Sequence, residues 1–127
     1  MPVAPNALKP HSRHRRERAA LVLPESCDLP APPLPTGRTW SKHERALWLE
    51  LWGGPQATQW DDSYAPAVAQ YVVHSCAVIG GSASAWMAQE ARHLGDRLGL
   101  TPQGMAALGW RLSELGPATP PVPLRSA

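Results

Sequence analysis

The sequence has little of what stabilises or marks many small proteins. Two cysteines among 127 residues are too few for a disulfide framework. Cys27, in a proline-rich stretch, and Cys76, in a predicted helix, read as free thiols of a reducing compartment. No apolar run approaches the roughly 20 residues that cross a bilayer. Leu21-Val22-Leu23 is cut by Pro24, which leaves the basic N-terminus without the apolar stretch of a signal peptide. The expectation is a soluble, cytoplasmic protein with no membrane partner. No apolar run alternates with β-branched enrichment either, so no strand is predicted.

Signatures of chemistry are also missing. There is no C-x-x-C, no H-E-x-x-H and no glycine-rich loop ending in Lys-Ser or Lys-Thr, hence no motif for a metal or a nucleotide phosphate. His74 and Cys76 stand two apart on a predicted helix and point away from each other, with His93 one helix further on. Asp61-Asp62 falls at a helix start, where carboxylates complement the helix dipole. The chain therefore reads as no enzyme, with no catalytic residue, metal or cofactor.

What it does have is unevenly placed. All six tryptophans lie between Trp40 and Trp110, and twelve of fifteen prolines lie outside 39–116. The reading is a folded unit at 39–116, a basic and proline-rich disordered N-terminal arm at 1–38, and a disordered tail at 117–127. In the arm, LPAPPLPTG at 29–37 reads as an extended spacer. A unit of this size buries about 60–65% of its unfolded surface, so oligomerisation is expected. Charge is segregated. Lys9, Arg13, Arg15, Arg16 and Arg18 stand against Glu17 for a net +4 at 9–18, while 39–116 holds five basic and seven acidic residues, a net −2. Those five basic side chains are the candidate DNA-phosphate contacts, since clustered arginines release counterions from nucleic acid.

The fold class is all-α, a small bundle of about four helices at 41–52, 63–79, 84–98 and 102–115. Ser41 and Glu44 fit a capping box, and Leu47, Trp48, Leu51 and Trp52 follow at helical spacing before Gly53-Gly54. Tyr64, Val68, Tyr71, Val72, Ser75 and Ile79 form the second stripe; Met87, Ala91, Leu94 and Leu98 form the third. The stretch RHLGDRLGLTPQGMAALGWRL at 92–112 has the outline of a helix-turn-helix. A DNA-reading helix needs polar and basic side chains, and this one offers Gln103 and Arg111 amid Gly, Ala, Met and Leu. Carried to residue 115, it sets Met105, Leu108, Leu112 and Leu115 on one side and Trp110 nearly opposite, which predicts burial on both. Trp48, Trp52, Trp60, Leu108 and Trp110 are the candidate packing and oligomer residues, aromatic side chains being enriched at interfaces.

RALWLELWGGPQATQW at 45–60, AQYVVHSC at 69–76 and QEARHLGDRLGLTPQGMAALGWRL at 89–112 together resemble small terminase subunits of tailed phages, particularly those infecting actinobacteria. The matching positions are Leu47, Trp48, Leu51, Trp52, Pro55, Gln56, Ala57, Trp60 and Tyr71, then Glu90, Ala91, Arg92, Leu98, Gly99, Leu100, Pro102, Leu108 and Trp110. Gly109 departs from the pattern, which has a basic residue before the tryptophan. The resemblance implies a noncatalytic, ring-forming homo-oligomer that acts in the host cytoplasm. It would bind viral double-stranded DNA and present it to the large terminase subunit, the ATPase-nuclease, during genome packaging. Two other readings stand beside it: a small helix-turn-helix transcription regulator, and a noncatalytic protein–protein adaptor.

Overall fold

The computed structural model describes residues 20–113, and the fold follows from them. Four helices make up its body: α1 Lys42–Gly53, α2 Ala65–Ile79, α3 Ala85–Arg97 and α4 Pro102–Leu108. The expected all-α class holds. Three of the four helices start at a side-chain cap that satisfies exposed N–H groups. Ser41 caps α1 in a complete capping box with Glu44, Ser84 accepts from Met87 N, and Thr101 accepts from Gly104 N. The expected carboxylate cap also appears, since Asp61 accepts from Ser63 N at the head of a short 3₁₀ turn, Asp62–Tyr64, leading into α2. Another 3₁₀ turn, Pro55–Gln59, links α1 to that cap.

Three expectations need correction. The last helix does not run to residue 115. Gly109 adopts a left-handed conformation, φ +77°, and closes α4 at Leu108; glycine takes that shape without the Cβ penalty. Trp110–Leu112 then forms a strand, β2, so the helical-wheel argument that set Trp110 opposite Leu108 falls. The second correction concerns strands in general. Leu21–Leu23, read as part of the arm, is strand β1, and it pairs in parallel with β2: Leu21 with Trp110, Val22 with Arg111, Leu23 with Leu112. A parallel pair needs a long crossover between its strands, and here the crossover is the helical body itself.

The third correction is that residues 20–38 are part of the folded body and not a spacer. Leu23 is fully buried. Cys27 N donates to Gly53 O at 3.0 Å, answering one of the carbonyls left open at the end of α1. Pro32 O and Pro35 O accept the indole N–H groups of Trp48 and Trp40, each at 2.9 Å. Proline leaves its carbonyl free and holds an extended shape, which makes this stretch a strap across the tryptophan face of α1. Residues 1–19 and 114–127, including the basic cluster and the 117–127 tail, lie outside the described residues.

The core lies beneath that strap. Trp40, Trp48, Trp52 and Trp60 meet Ala57, Val68, Ala69, Val72 and Leu98, all buried. Trp48, Trp52, Trp60 and Tyr64 form a ladder of aromatic contacts with ring centroids 5.6, 5.2 and 6.2 Å apart. Such pairs add about 0.5–1.5 kcal/mol each beyond the area they bury. Among the described residues, no helix is long and apolar enough to cross a membrane.

Candidate functional site

Two regions are candidates for a functional surface, the corner between α3 and α4 and the exposed apolar patches of the molecule. The corner is tightly built. Gly99, at φ +76°, turns the chain, and Leu100 N reaches back to Gly95 O at 2.9 Å. Thr101 Oγ1 accepts from Gly104 N at 2.9 Å and donates to Asp96 Oδ1 at 2.6 Å, one hydroxyl locking both helices. Gly104 lies directly against the Asp96 backbone. Trp60 Nε1 donates to Leu98 O at 3.1 Å and ties the corner to the core. The chain thus runs helix, turn, helix over Ala85–Leu108, with a second helix of seven residues. The outer face of this corner carries Gln103, Ala106, Ala107 and Leu108 on α4, and Arg92, His93 and Arg97 on α3, all exposed.

The residues expected at a subunit interface divide in two. Trp48, Trp52 and Trp60 are 2–7% exposed and are spent inside one chain, so they pack the core and present no surface. Trp110 is half-buried and lies over Gly99, where a Cβ would run into its ring. Leu108 is exposed. The apolar surface that is free lies elsewhere. Val78, Ile79 and Trp86 stand exposed where α2 turns into α3, with Trp86 edge-on to His74 at 5.7 Å. Leu21, Val22 and Leu112 are exposed on the β1–β2 ribbon. The five basic candidates, Lys9, Arg13, Arg15, Arg16 and Arg18, lie outside the described residues.

A groove of about 700 Å³ runs between the first half of α1 and the second half of α2, with Leu47, Val73, Ala77 and Ile79 among its walls. Glu44 borders it, buried and fully engaged: its Oε1 accepts from Ser41 N at 2.8 Å, and Arg38 Nη2 lies 3.1 Å from its Oε2. Burial first, and the Glu44 carboxylate second, push the Cys76 thiol above its ordinary range, which keeps it protonated and weakly nucleophilic. At the other end of the fold, hydrogen bonds from the Ser63 side chain and then its backbone hold the Asp61 carboxyl below its usual range. Among the described residues no group of three or more His, Cys, Asp or Glu side chains is placed to hold a metal ion.

The Arg38–Glu44 pair and the carbonyls of Pro32 and Pro35 escaped the sequence reading. The available signal was the spacing of Trp40, Trp48 and Trp52 along one side of the chain, since buried indoles require acceptors and prolines nearby can supply them. Comparisons with protein-family models, with curated proteins and with solved structures find no match to this chain.

Proposed function

We propose that the protein is a noncatalytic DNA-packaging component of the small-terminase type. In this reading it binds viral double-stranded DNA through its basic arm, self-assembles into a ring, and presents the DNA to a large ATPase-nuclease subunit in the host cytoplasm. The observation that carries the DNA-binding part is the segregation of charge, net +4 at 9–18 against net −2 at 39–116. A polyanion meets such a chain through the arm and not the body. The exposed Val78, Ile79 and Trp86 support assembly, because apolar surface of this kind marks contact sites.

Deleting residues 1–18 tests the arm. The deletion stops short of β1, which starts at Leu21, so every described residue is retained. The full chain is expected to show a log-affinity slope of about −4.5 against log salt for five phosphate contacts, and the truncated chain a slope near zero with much weaker binding. Equal affinity and slope in fluorescence-anisotropy titrations would refute the arm as the contact. A second reading rests on the built α3–α4 corner, which favours a sequence-specific regulator. It requires that Gln103→Ala abolish discrimination between duplexes while the arm deletion spares it.

A further inference from the structure

Helix α2 carries no Asp, Glu, Lys or Arg over its fifteen residues. A helix without charge on any side belongs in an interior. Within one chain α1 covers one side of it and α3 another, yet Val73 and Ala77 still line the open groove beside α1. That groove ends at the α2–α3 turn, where Val78, Ile79 and Trp86 are exposed. Groove and turn form one apolar surface at the head of α3.

A second apolar surface lies at the foot of α3. Ala106, Ala107 and Leu108 on α4 are exposed there, and so are Leu21, Val22 and Leu112 on the ribbon. α4 and the ribbon meet at the corner, since the Leu108 and Trp110 side chains both lie against Gly99. The thirteen residues of α3 hold head and foot about 20 Å apart, at about 1.5 Å per residue. One chain cannot cover its own head with its own foot. A second copy can.

The two surfaces differ in shape and in charge. The groove is a hollow whose walls carry Glu44 and Glu50 against Arg38, a net −1 with His43 neutral. Arg38 is already held by Glu44 at 3.1 Å. The foot is a short helical ridge. Over residues 85–113, Arg92, Arg97 and Arg111 stand against Glu90 and Asp96, a net +1 with His93 neutral, and all three arginines are exposed. Asp96 accepts from Thr101 Oγ1 within the corner. Opposite charge at the margins of two apolar surfaces steers their association and fixes its register.

We propose that copies of this chain associate head to tail. The α4 ridge of one copy, Ala106, Ala107 and Leu108, seats in the α1–α2 groove of the next and brings the arginines of the foot beside Glu50. The contact covers the open side of α2. Because the two surfaces are unlike, each copy keeps one of each free to add another, whereas a two-fold contact stops at the dimer. The proposal rests on the assembly part of the packaging reading and on none of its DNA-binding part.

The test uses two full-chain variants, each placing a carboxylate on one surface at an exposed position. Ile79→Glu damages the groove end and leaves the ridge; Ala107→Glu damages the ridge and leaves the groove. Native mass spectrometry is expected to show wild type assembled beyond the dimer. Each variant alone is expected to associate about tenfold more weakly, or weaker still. Mixed in equal amounts, the two variants are expected to pair as a mixed dimer and grow no further, because each pair holds one intact ridge and one intact groove. Recovery on mixing also shows that both variants fold. A monomeric wild type overturns the assembly reading and this contact with it. A wild type that stops at the dimer overturns the head-to-tail contact alone. So does an assembling wild type whose variants assemble unimpaired, or fail to pair when mixed.

Discussion

At the residue scale, the tightest constraint is Gly104. A Cβ there would fall within 2.9 Å of the Asp96 carbonyl carbon, and backbone cannot move aside as a flexible side chain can. Gly104→Ala is expected to cost about 3 kcal/mol, the upper end for overpacking. Gly53→Ala, where the new methyl meets nothing within 4 Å, should stay within about 0.5 kcal/mol of wild type. Urea denaturation of the two variants checks the contrast, and equal stabilities would mean that the corner is looser than described. Cys76 gives a pH expectation. Its folded-state pKa is raised, so the stability tied to the neutral thiol is fully present below the unfolded thiol pKa. That stability is lost as pH rises through the folded value, because the unfolded chain releases the proton first. Midpoint denaturant concentrations between pH 7 and 10 should therefore fall with alkali, and Cys76→Ala should flatten the decline.

At the element scale, the strap and ribbon separate this fold from a bare helical bundle. Leu23 is fully buried while Leu29, six residues along, is 74% exposed. Leu23→Ala is expected to lose about 2–5 kcal/mol and Leu29→Ala less than about 0.5. Were residues 20–38 a loose spacer, both would be silent, so thermal melts of the pair decide whether the strap belongs to the body. The capped helices were legible because their signals are local: Ser41 with Glu44, Ser84, and Thr101 with Pro102 each announce a start within four residues. The ribbon was not, because Leu21–Leu23 and Trp110–Leu112 are short and far apart in sequence, and a parallel pairing leaves no turn between them to read. The strap escaped for a related reason. Proline content excludes helix and sheet, but an extended segment can still be held by carbonyls, and the donors for them lie on α1. Of the candidate site, the corner between α3 and α4 was legible from Gly99 and Thr101-Pro102. Which tryptophans face outward was not, because Trp48, Trp52 and Trp60 are claimed by a core that includes the strap.

At the scale of the whole molecule, self-assembly must use surface the single chain leaves free, and that moves the expected interface away from the buried tryptophans. Val78, Ile79 and Trp86 gather at the turn from α2 to α3 and are 41%, 83% and 62% exposed. Ile79 also borders the groove between α1 and α2, so projecting apolar side chains and a hollow adjoin on one surface, and in the proposed ring this surface would meet a different patch of the next copy. A charge at Ile79 meets water in the single chain and apolar surface in an assembly. Ile79→Glu is therefore expected to change folding stability by no more than about 0.5 kcal/mol while weakening association by tenfold or more, about 1.4 kcal/mol. Leu49→Glu, at a position 62% exposed on α1 and outside that groove, serves as the matched control and should leave association unchanged. Native mass spectrometry across a dilution series reads the difference directly. If Ile79→Glu assembles like wild type, the α2–α3 turn is not the contact. The exposed edge of Leu21, Val22 and Leu112 then becomes the surface to change next, because among the described residues β1 and β2 pair only with each other and so offer strand edges to a second copy.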